Sequence, residues 1–143
     1  MRRPSTPASP ALLAIACCWL AFSGCGQMTE QTPAYTVYGT LTSTTVSVSG
    51  KLGWVKLVGE TQGLNDPALY HTACVIQGPS CDYKINFVPE GNYTAFGVID
   101  MDNNVVEPEV NPDPDDLVTG SRPVFLLEST RIDFPDSAWR SMP

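Results

Sequence analysis

The sequence predicts an all-β fold: a single two-sheet antiparallel β-sandwich of about seven or eight strands, preceded by a cleaved signal peptide. Short stretches rich in Val, Thr, Tyr, Phe and Ile alternate with Gly, Pro, Asn and Asp. No segment carries the 3.6-residue apolar stripe of an amphipathic helix, and a chain of 143 residues suits one domain with a short extension. The predicted strands are 35–41, 45–49, 53–58, 69–76, 83–88, 93–100, 124–128 and 130–134.

Two of these strands indicate how the sheets are buried. Tyr83, Ile85 and Phe87 alternate with polar residues, which predicts that these three side chains share one buried face while the other face is hydrated. The strand at 93–100 has few polar residues, so we expect it to lie in the centre of a sheet.

The N-terminus has the three parts of a secretory signal peptide. Arg2 and Arg3 precede an unbroken apolar run at 11–22, and two small residues follow that run. The run is about twelve residues long, whereas a membrane-spanning helix needs about twenty. The alternative, a buried core helix, does not explain the flanking pattern, so residues 1–24 are predicted to be a signal peptide.

The end of that run, FSGC at 22–25, resembles the lipobox of bacterial lipoproteins, in which a bulky apolar residue and two small residues precede a cysteine. Phe22 stands where Leu is preferred. The resemblance implies a covalent lipid on Cys25: a diacylglyceryl group on its sulfur, cleavage before it, and an acyl group such as palmitate on the new amino group. Gly26 replaces the Asp that retains some lipoproteins at the inner membrane, which favours the outer membrane.

The predicted organisation is therefore a lipidated N-terminus and tether at 25–33, a β-sandwich domain at 34–135 and a C-terminal tail at 136–143. Loss of the two arginines of the signal peptide leaves six basic residues against fifteen acidic ones, a net charge of −9. This charge argues against a nucleic-acid partner and against adhesion to anionic headgroups. The expected partners are the membrane, through the lipid, and an envelope protein or glycan.

Two cysteines remain once the signal peptide and the lipidated residue are set aside. Cys74 and Cys81 flank the turn signal QGPS, and an even pair in an exported protein predicts a disulfide near the base of a hairpin. The alternative is two free thiols in a reducing compartment.

The segment FVPEGNYTAFGVIDMDNN, residues 87–104, resembles the late-strand region of prealbumin-like and carboxypeptidase-regulatory-like sandwich domains. Val88, Pro89, Gly91 and Tyr93 occupy that region's strand end, turn and aromatic positions. The resemblance implies an accessory sandwich module. An enzyme branch of the prealbumin-like domains needs several histidines and a C-terminal Tyr-Arg-Gly-Ser motif, and this chain has one histidine and ends FPDSAWRSMP, so that activity does not carry over.

An acidic stretch after the same strand is a candidate cation site. Asp100, Asp102 and Asn104 sit at i, i+2 and i+4, the spacing that begins many calcium loops, with Glu107 or Glu109 as the closing ligand. The stretch is not an EF-hand, because it lacks that loop's central Gly and its bidentate Glu at the twelfth position. The alternative is a solvated acidic loop with Asp and Asn in turns. The Pro-rich part at 111–116 is expected to be extended and exposed on the sandwich rim.

Three further side chains are functional candidates. His71, the one histidine of the sequence, is interpreted as structural rather than as a base or metal ligand. Trp54 is expected to pack in the core, since its neighbours are apolar. Trp139 either packs back on the sandwich or touches a partner, and the sequence does not separate these alternatives.

The sequence thus predicts a membrane-anchored exported lipoprotein, a non-catalytic binding or structural module with calcium as a possible stabiliser. The first alternative is a small hydrolase or enzyme inhibitor that uses the acidic loop at 100–116. The second is a calcium-dependent surface adhesin.

Overall fold

A computed structural model describes residues 32–44 and 47–142 of the chain. Their fold is all-β, and the prediction of two packed sheets is confirmed. A short 3-10 turn, Asp136–Ala138, precedes the last strand. The strands are β1 Ala34–Thr42, β2 Leu52–Gly59, β3 Tyr70–Val75, β4 Ser80–Pro89, β5 Gly91–Asp100, β6 Leu117–Thr119, β7 Arg122–Leu126, β8 Thr130–Arg131 and β9 Trp139–Ser141. In this part of the chain no helix is long and apolar enough to cross a bilayer.

The two sheets differ in size. The smaller sheet has the strand order β4-β1-β8, and the larger has β3-β2-β5-β6-β9 with β7 also paired to β5. The pairings are antiparallel except that β8 runs parallel to β1. The expectation that 93–100 lies centrally is confirmed, because β5 pairs with β2 on one side and with β6 and β7 on the other.

The strands differ from prediction most at 47–49, at 130–134 and at the two short strands β6 and β9. Residues 47–49 of the predicted strand 45–49 lie in a loop and turn, with Val48 buried and its carbonyl accepting the Lys51 N–H at 3.0 Å. The apolar residue that suggested a strand therefore reaches the core from a turn. The predicted strand 130–134 is regular only over β8, and the short strands β6 and β9 were missed. Since β9 pairs with β6, the sheet extends beyond residue 135, where the sequence placed the end of the domain.

The prediction that Phe87 shares the buried face of Tyr83 and Ile85 is wrong. Between the pairs Tyr35↔Val88 and Val37↔Ile85, β4 holds one residue more than β1, which defines a β-bulge. Phe87 lies in this bulge with φ 60°, and its side chain is 82% exposed. The extra residue shifts the alternation by one, so Val88 takes the buried position instead.

The core between the sheets is built from the inward-facing residues of five strands and the segment after β8. Removing these side chains from water is the main favourable term in folding. Its fully buried members are Val37, Val55, Leu57, Val88, Ala95, Leu126 and Phe134.

The outer face of the larger sheet is also covered. Trp54 of β2 and Val98 of β5 pack with Val110, which comes from the loop between β5 and β6 and is fully buried. The prediction that the Pro-rich part of this loop is exposed on the rim is therefore wrong for Pro112 and Asp116, which are buried. The loop lies across the sheet because the outer sides of both central strands are apolar.

The sandwich has two chemically different ends. At one end, which we call the entry end, the described chain enters β1 at Ala34, and Ala34 pairs with Pro89 beside the β4–β5 turn. Tyr93 fixes this turn by donating its hydroxyl hydrogen to the Pro89 carbonyl at 3.0 Å. From there the ten residues of β5 run to Asp100 at the other end, which we call the acidic end. At the rise of a β-strand the two ends are about 30 Å apart.

Candidate functional site

The loop that follows β5 is organised by the carboxylate of Asp100, which is only 1% exposed. Its Oδ1 accepts the N–H groups of Asn103 at 2.6 Å and Asn104 at 3.1 Å, and its Oδ2 accepts that of Val105 at 3.1 Å. Three backbone donors on one carboxylate fold the chain sharply back after the strand. Asn103 adopts φ 65° within this turn, a conformation that Asn tolerates better than most residues.

A second buried carboxylate, Asp116, closes the same loop immediately before β6. Its Oδ1 accepts the Met101 N–H at 2.8 Å and its Oδ2 accepts the Asp113 N–H at 3.1 Å. Asp116 is fully buried, so it joins the start of the loop to its end from inside the fold. β6 pairs with β5 through Ile99 and Leu117, and this pairing brings Asp116 next to Asp100.

Together these residues form a compact acidic cluster. Carboxylate oxygens of Asp100, Asp102 and Asp116 lie within 4.8 Å of one another. The Nδ2 of Asn104 donates to Asp102 at 2.7 Å and to Asp113 at 2.5 Å. Asp113 Oδ1 is buried and has no hydrogen-bond partner among the described residues.

The electrostatics of the cluster oppose full ionisation. Burial raises the pKa of Asp116, although the N–H groups of Met101 and Asp113 act in the opposite direction. Loss of hydration, followed by the negative charges of Asp113 and Asp100, raises the pKa of Asp102. Carboxylates held this close are relieved either by a proton or by a bound cation. Hard divalent cations such as calcium prefer the oxygen ligands that these residues offer.

The structure brings together three of the four predicted metal ligands. Asp100, Asp102 and Asn104 adjoin one another, and Asp116 joins them. Glu107 is placed beside β3, where its Oε1 lies 3.6 Å from His71 Nε2. Asp116 was missed because it lies far along the chain from Asp100, and only the pairing of β5 with the short strand β6 makes them neighbours. The one sequence signal was its place directly before an apolar pair, where a loop ends.

A buried lysine lies under the same loop and was also missed. Lys56 of β2 is fully buried on the outer side of the larger sheet. Its Nζ donates to the carbonyl oxygens of Asp66 at 3.0 Å and Glu109 at 3.3 Å, and to Asn111 Oδ1 at 3.2 Å. Burial lowers the pKa of Lys56 to about 8, while the Asp66 carboxylate raises it by a smaller amount. The ammonium thus ties the loop after β2 to the loop after β5.

The remaining candidates have structural positions. Trp54 is buried in the outer apolar cluster, as predicted, and its ring lies 6.2 Å from that of His71 on β3. Trp139 packs back on the sandwich. Its indole N–H donates to the carbonyl of Thr42 at 2.7 Å, and its ring lies 6.4 Å from the ring of Phe134. Trp139 belongs to the larger sheet and Thr42 to the smaller sheet, so this hydrogen bond joins the two sheets.

The predicted disulfide is confirmed between Cys74 and Cys81, with an S–S distance of 2.10 Å. Cys74 belongs to β3 and Cys81 to β4, so the bond joins the edge strands of the two sheets. The predicted hairpin is thus a corner, at which the chain leaves one sheet and enters the other.

An open depression lies on the outer face of the smaller sheet. Side chains that point away from the core on β1 and β4 form its floor, and Arg131 of β8 lies at its edge. Its polar and charged lining includes Thr36, Tyr38, Thr40, Asp82, Lys84 and Arg131. The depression offers both hydrogen-bond donors and acceptors to a polar partner.

Comparison of the chain with protein-family models found no match. Neither curated proteins nor solved structures showed a significant similarity to it. The predicted signal peptide at 1–24 and the lipid attachment residue Cys25 lie outside the described residues, as does most of the tether at 25–33.

Proposed function

We propose that this protein is an exported lipoprotein whose folded part is a non-catalytic binding or structural module held at a membrane surface. The observation that carries the proposal is the sequence FSGC at 22–25, placed directly after an apolar run that follows two arginines. A single acyl chain binds a membrane only marginally, whereas a diacylglyceryl group with a further N-acyl chain anchors a protein stably.

The Cys74–Cys81 bond supports export, because structural disulfides persist in oxidising compartments such as the periplasm and the cell surface. It joins β3 to β4 within a sandwich whose size limits what the hydrophobic core alone contributes. The proposed location is the cell envelope, at the outer membrane, with the sandwich facing the periplasm or the outside.

The non-catalytic reading is supported by how the buried carboxylates are used. Asp100 accepts three backbone N–H groups and Asp116 accepts two, so both carboxylates serve as loop-organising acceptors. The polar depression over β1 and β4 is open rather than a closed cleft, which suits a broad contact with an envelope protein or glycan better than a walled reaction site.

The anchor is tested by metabolic labelling of the full chain with an alkynyl fatty acid in a bacterial host that processes lipoproteins. We expect the wild-type chain to be labelled and to sediment with membranes. Cys25→Ser is expected to lose the label and become soluble, whereas Cys18→Ser, a cysteine change within the apolar run, keeps the label. A Cys25→Ser chain that is still acylated would overturn the proposal.

Calcium stabilisation is a second candidate function, which the acidic cluster favours. Asp100, Asp102 and Asp116 would hold the ion, and Asp113 of the same loop has a buried Oδ1 that accepts no hydrogen bond from the described residues. A calcium-dependent adhesin would use the same site. A ligand that binds only the folded state at 100 times its dissociation constant stabilises it by about 2.7 kcal/mol.

The calcium test is thermal unfolding of the soluble Cys25→Ser chain in calcium and in chelator. We expect millimolar calcium to raise Tm by several degrees, and Asp102→Asn to remove the increase. Asp115→Asn is the matched control, because Asp115 is an exposed residue of the same loop and is not one of the three clustered carboxylates. An unchanged Tm in calcium would contradict the site and leave the anchor untouched.

A further inference from the structure

We propose that the entry end of the sandwich is itself a membrane-contacting surface, formed by Phe87, Phe125 and Leu127. These side chains dip into the interfacial layer of the bilayer that holds the lipidated Cys25. The inference rests on the proposed function, because the acyl chains on Cys25 are what hold the sandwich at the bilayer.

The three side chains are the most exposed large apolar groups of the described residues. Phe87 is 82% exposed, Leu127 71% and Phe125 70%. Single exposed apolar residues are ordinary on a protein surface, and Val106, next in exposure at 68%, lies in the loop after β5. Phe87 of the smaller sheet and Phe125 and Leu127 beside the larger sheet instead lie at the same end of a small domain, and this marks that end as an interaction surface.

The register of the smaller sheet places Phe87 at the entry end. Val88, its neighbour, pairs with Tyr35, the second residue of β1. The bulge holds Phe87 at φ 60°, a conformation that is uncommon and costly for a bulky residue, and it turns the ring out of the sandwich. Strain of this kind is a frequent property of functional positions.

The register of the larger sheet places the other two residues at the same end. Phe125 pairs with Asn92 and Leu126 pairs with Gly91, directly after the β4–β5 turn. Leu126 is buried in the core, whereas Phe125 and Leu127 on either side of it are exposed. The alternation of β7 therefore directs Phe125 to the outer side of the larger sheet, and Leu127, the first residue after β7, is exposed at the same end.

The length of the chain before β1 limits how far the entry end can lie from a lipid on Cys25. Eight peptide units join Cys25 to Pro33, and fully extended they span at most about 28 Å. Ala34 is the first residue of β1 and lies at the entry end. An acylated Cys25 thus keeps the entry end within about one bilayer thickness of the lipid, while Asp100 and the acidic cluster lie about 30 Å farther along β5.

The charges around the surface define the kind of bilayer that it fits. Three exposed carboxylates surround the apolar residues: Glu90 in the turn, Glu128 directly after Leu127, and Glu60, whose Oε2 accepts from Asn92 Nδ2 at 3.3 Å. Anionic lipids attract basic segments and repel acidic ones. The surface is therefore suited to zwitterionic headgroups, with shallow insertion of the apolar side chains.

Quenching by brominated lipid tests the contact directly. The acylated full-length protein is reconstituted in phosphatidylcholine vesicles with and without bromine on the acyl chains. Phe125→Trp and Leu127→Trp each report from the entry end. Val75→Trp is the matched control, because Val75 is 55% exposed and pairs with Leu52, which pairs with Asp100 at the acidic end.

We expect bromine to reduce the emission of the Phe125→Trp protein at least twofold more than that of the Val75→Trp protein. Leu127→Trp is expected to behave like Phe125→Trp, which guards against one variant failing to fold. Replacing a third of the lipid with phosphatidylglycerol is expected to weaken the quenching. An equal loss of emission to bromine in the entry-end and control variants would overturn the inference. Concentration-dependent dimers of the soluble Cys25→Ser chain that Phe125→Ser abolishes would overturn it too.

The intact mass of each preparation separates the two proposals. A chain that carries acyl groups on Cys25 but shows no quenching contradicts only the membrane-contacting surface. A chain without acyl groups contradicts the lipoprotein proposal and removes the basis of this one with it.

Discussion

Lys56→Met is expected to remove a specific pH dependence from the stability of the domain. Burial lowers the pKa of Lys56 to about 8 in the folded state, against an ordinary value of 10.5. Between about pH 8 and pH 10.5 the unfolded chain therefore binds more protons than the folded chain, so the free energy of unfolding rises with pH across this window.

The size of the effect follows from the difference between the two pKa values. Each tenfold change in the dissociation constant is worth about 1.4 kcal/mol, so charging the fully buried Lys56 costs about 3 kcal/mol more in the folded than in the unfolded state. Integrated from pH 7 to pH 9, the free energy of unfolding should rise by about 1.3 kcal/mol. Deprotonation of Lys56 removes the buried charge. This gain outweighs the loss of the ion-dipole contacts with the Asp66 and Glu109 carbonyls, because the neutral amine still donates hydrogen bonds.

The assay is urea unfolding of the soluble Cys25→Ser chain at pH 7, 8 and 9, with Lys56→Met and Lys84→Met compared in parallel. Lys84 is exposed on β4. The Lys84→Met protein therefore loses one lysine, as Lys56→Met does, but keeps the buried Lys56. We expect wild type and Lys84→Met to gain stability together and Lys56→Met to lack that gain. A Lys56→Met protein that gains as much as wild type would refute the assignment of the low pKa to Lys56.

Two further predictions concern the joints between the sheets. Replacing both Cys74 and Cys81 with Ala should lower the free energy of unfolding by about 2.5 kcal/mol, the chain-entropy value for so short a loop, as measured by urea unfolding; a loss below about 0.5 kcal/mol would contradict this. Trp139→Phe should cost about 1 kcal/mol, because the Thr42 carbonyl loses the indole N–H that now joins the sheets; unchanged thermal stability would show that this bond contributes nothing.

The fold was predictable from sequence because turn residues and alternation act locally. The central position of β5 followed from its lack of polar residues, and the pairing of Cys74 with Cys81 followed from an even count of cysteines. Phe87 could not be placed, because a bulge depends on how β4 aligns with β1, and one extra residue inverts the facing of all that follow. β6 and β9 are three residues each, too short for a periodic pattern to show.

The site was predictable only where its residues are close in sequence. Asp100, Asp102 and Asn104 share one turn, so spacing alone identified them. Asp116 joins them through the pairing of β6 with β5. Lys56 owes its burial and its lowered pKa to two loops that fold over the sheet. Long-range contacts of this kind decide burial and the pKa, and no local pattern encodes them.

The central claim is that the mature chain begins at a lipidated Cys25, and mass spectrometry of the N-terminal peptide tests it most directly. The protein is isolated from bacterial membranes without removal of acyl groups and is digested. Our account predicts an N-terminal peptide that starts at Cys25 and carries the mass of a diacylglyceryl group together with an N-acyl chain. A peptide that starts at Met1, or an unmodified Cys25, would contradict it.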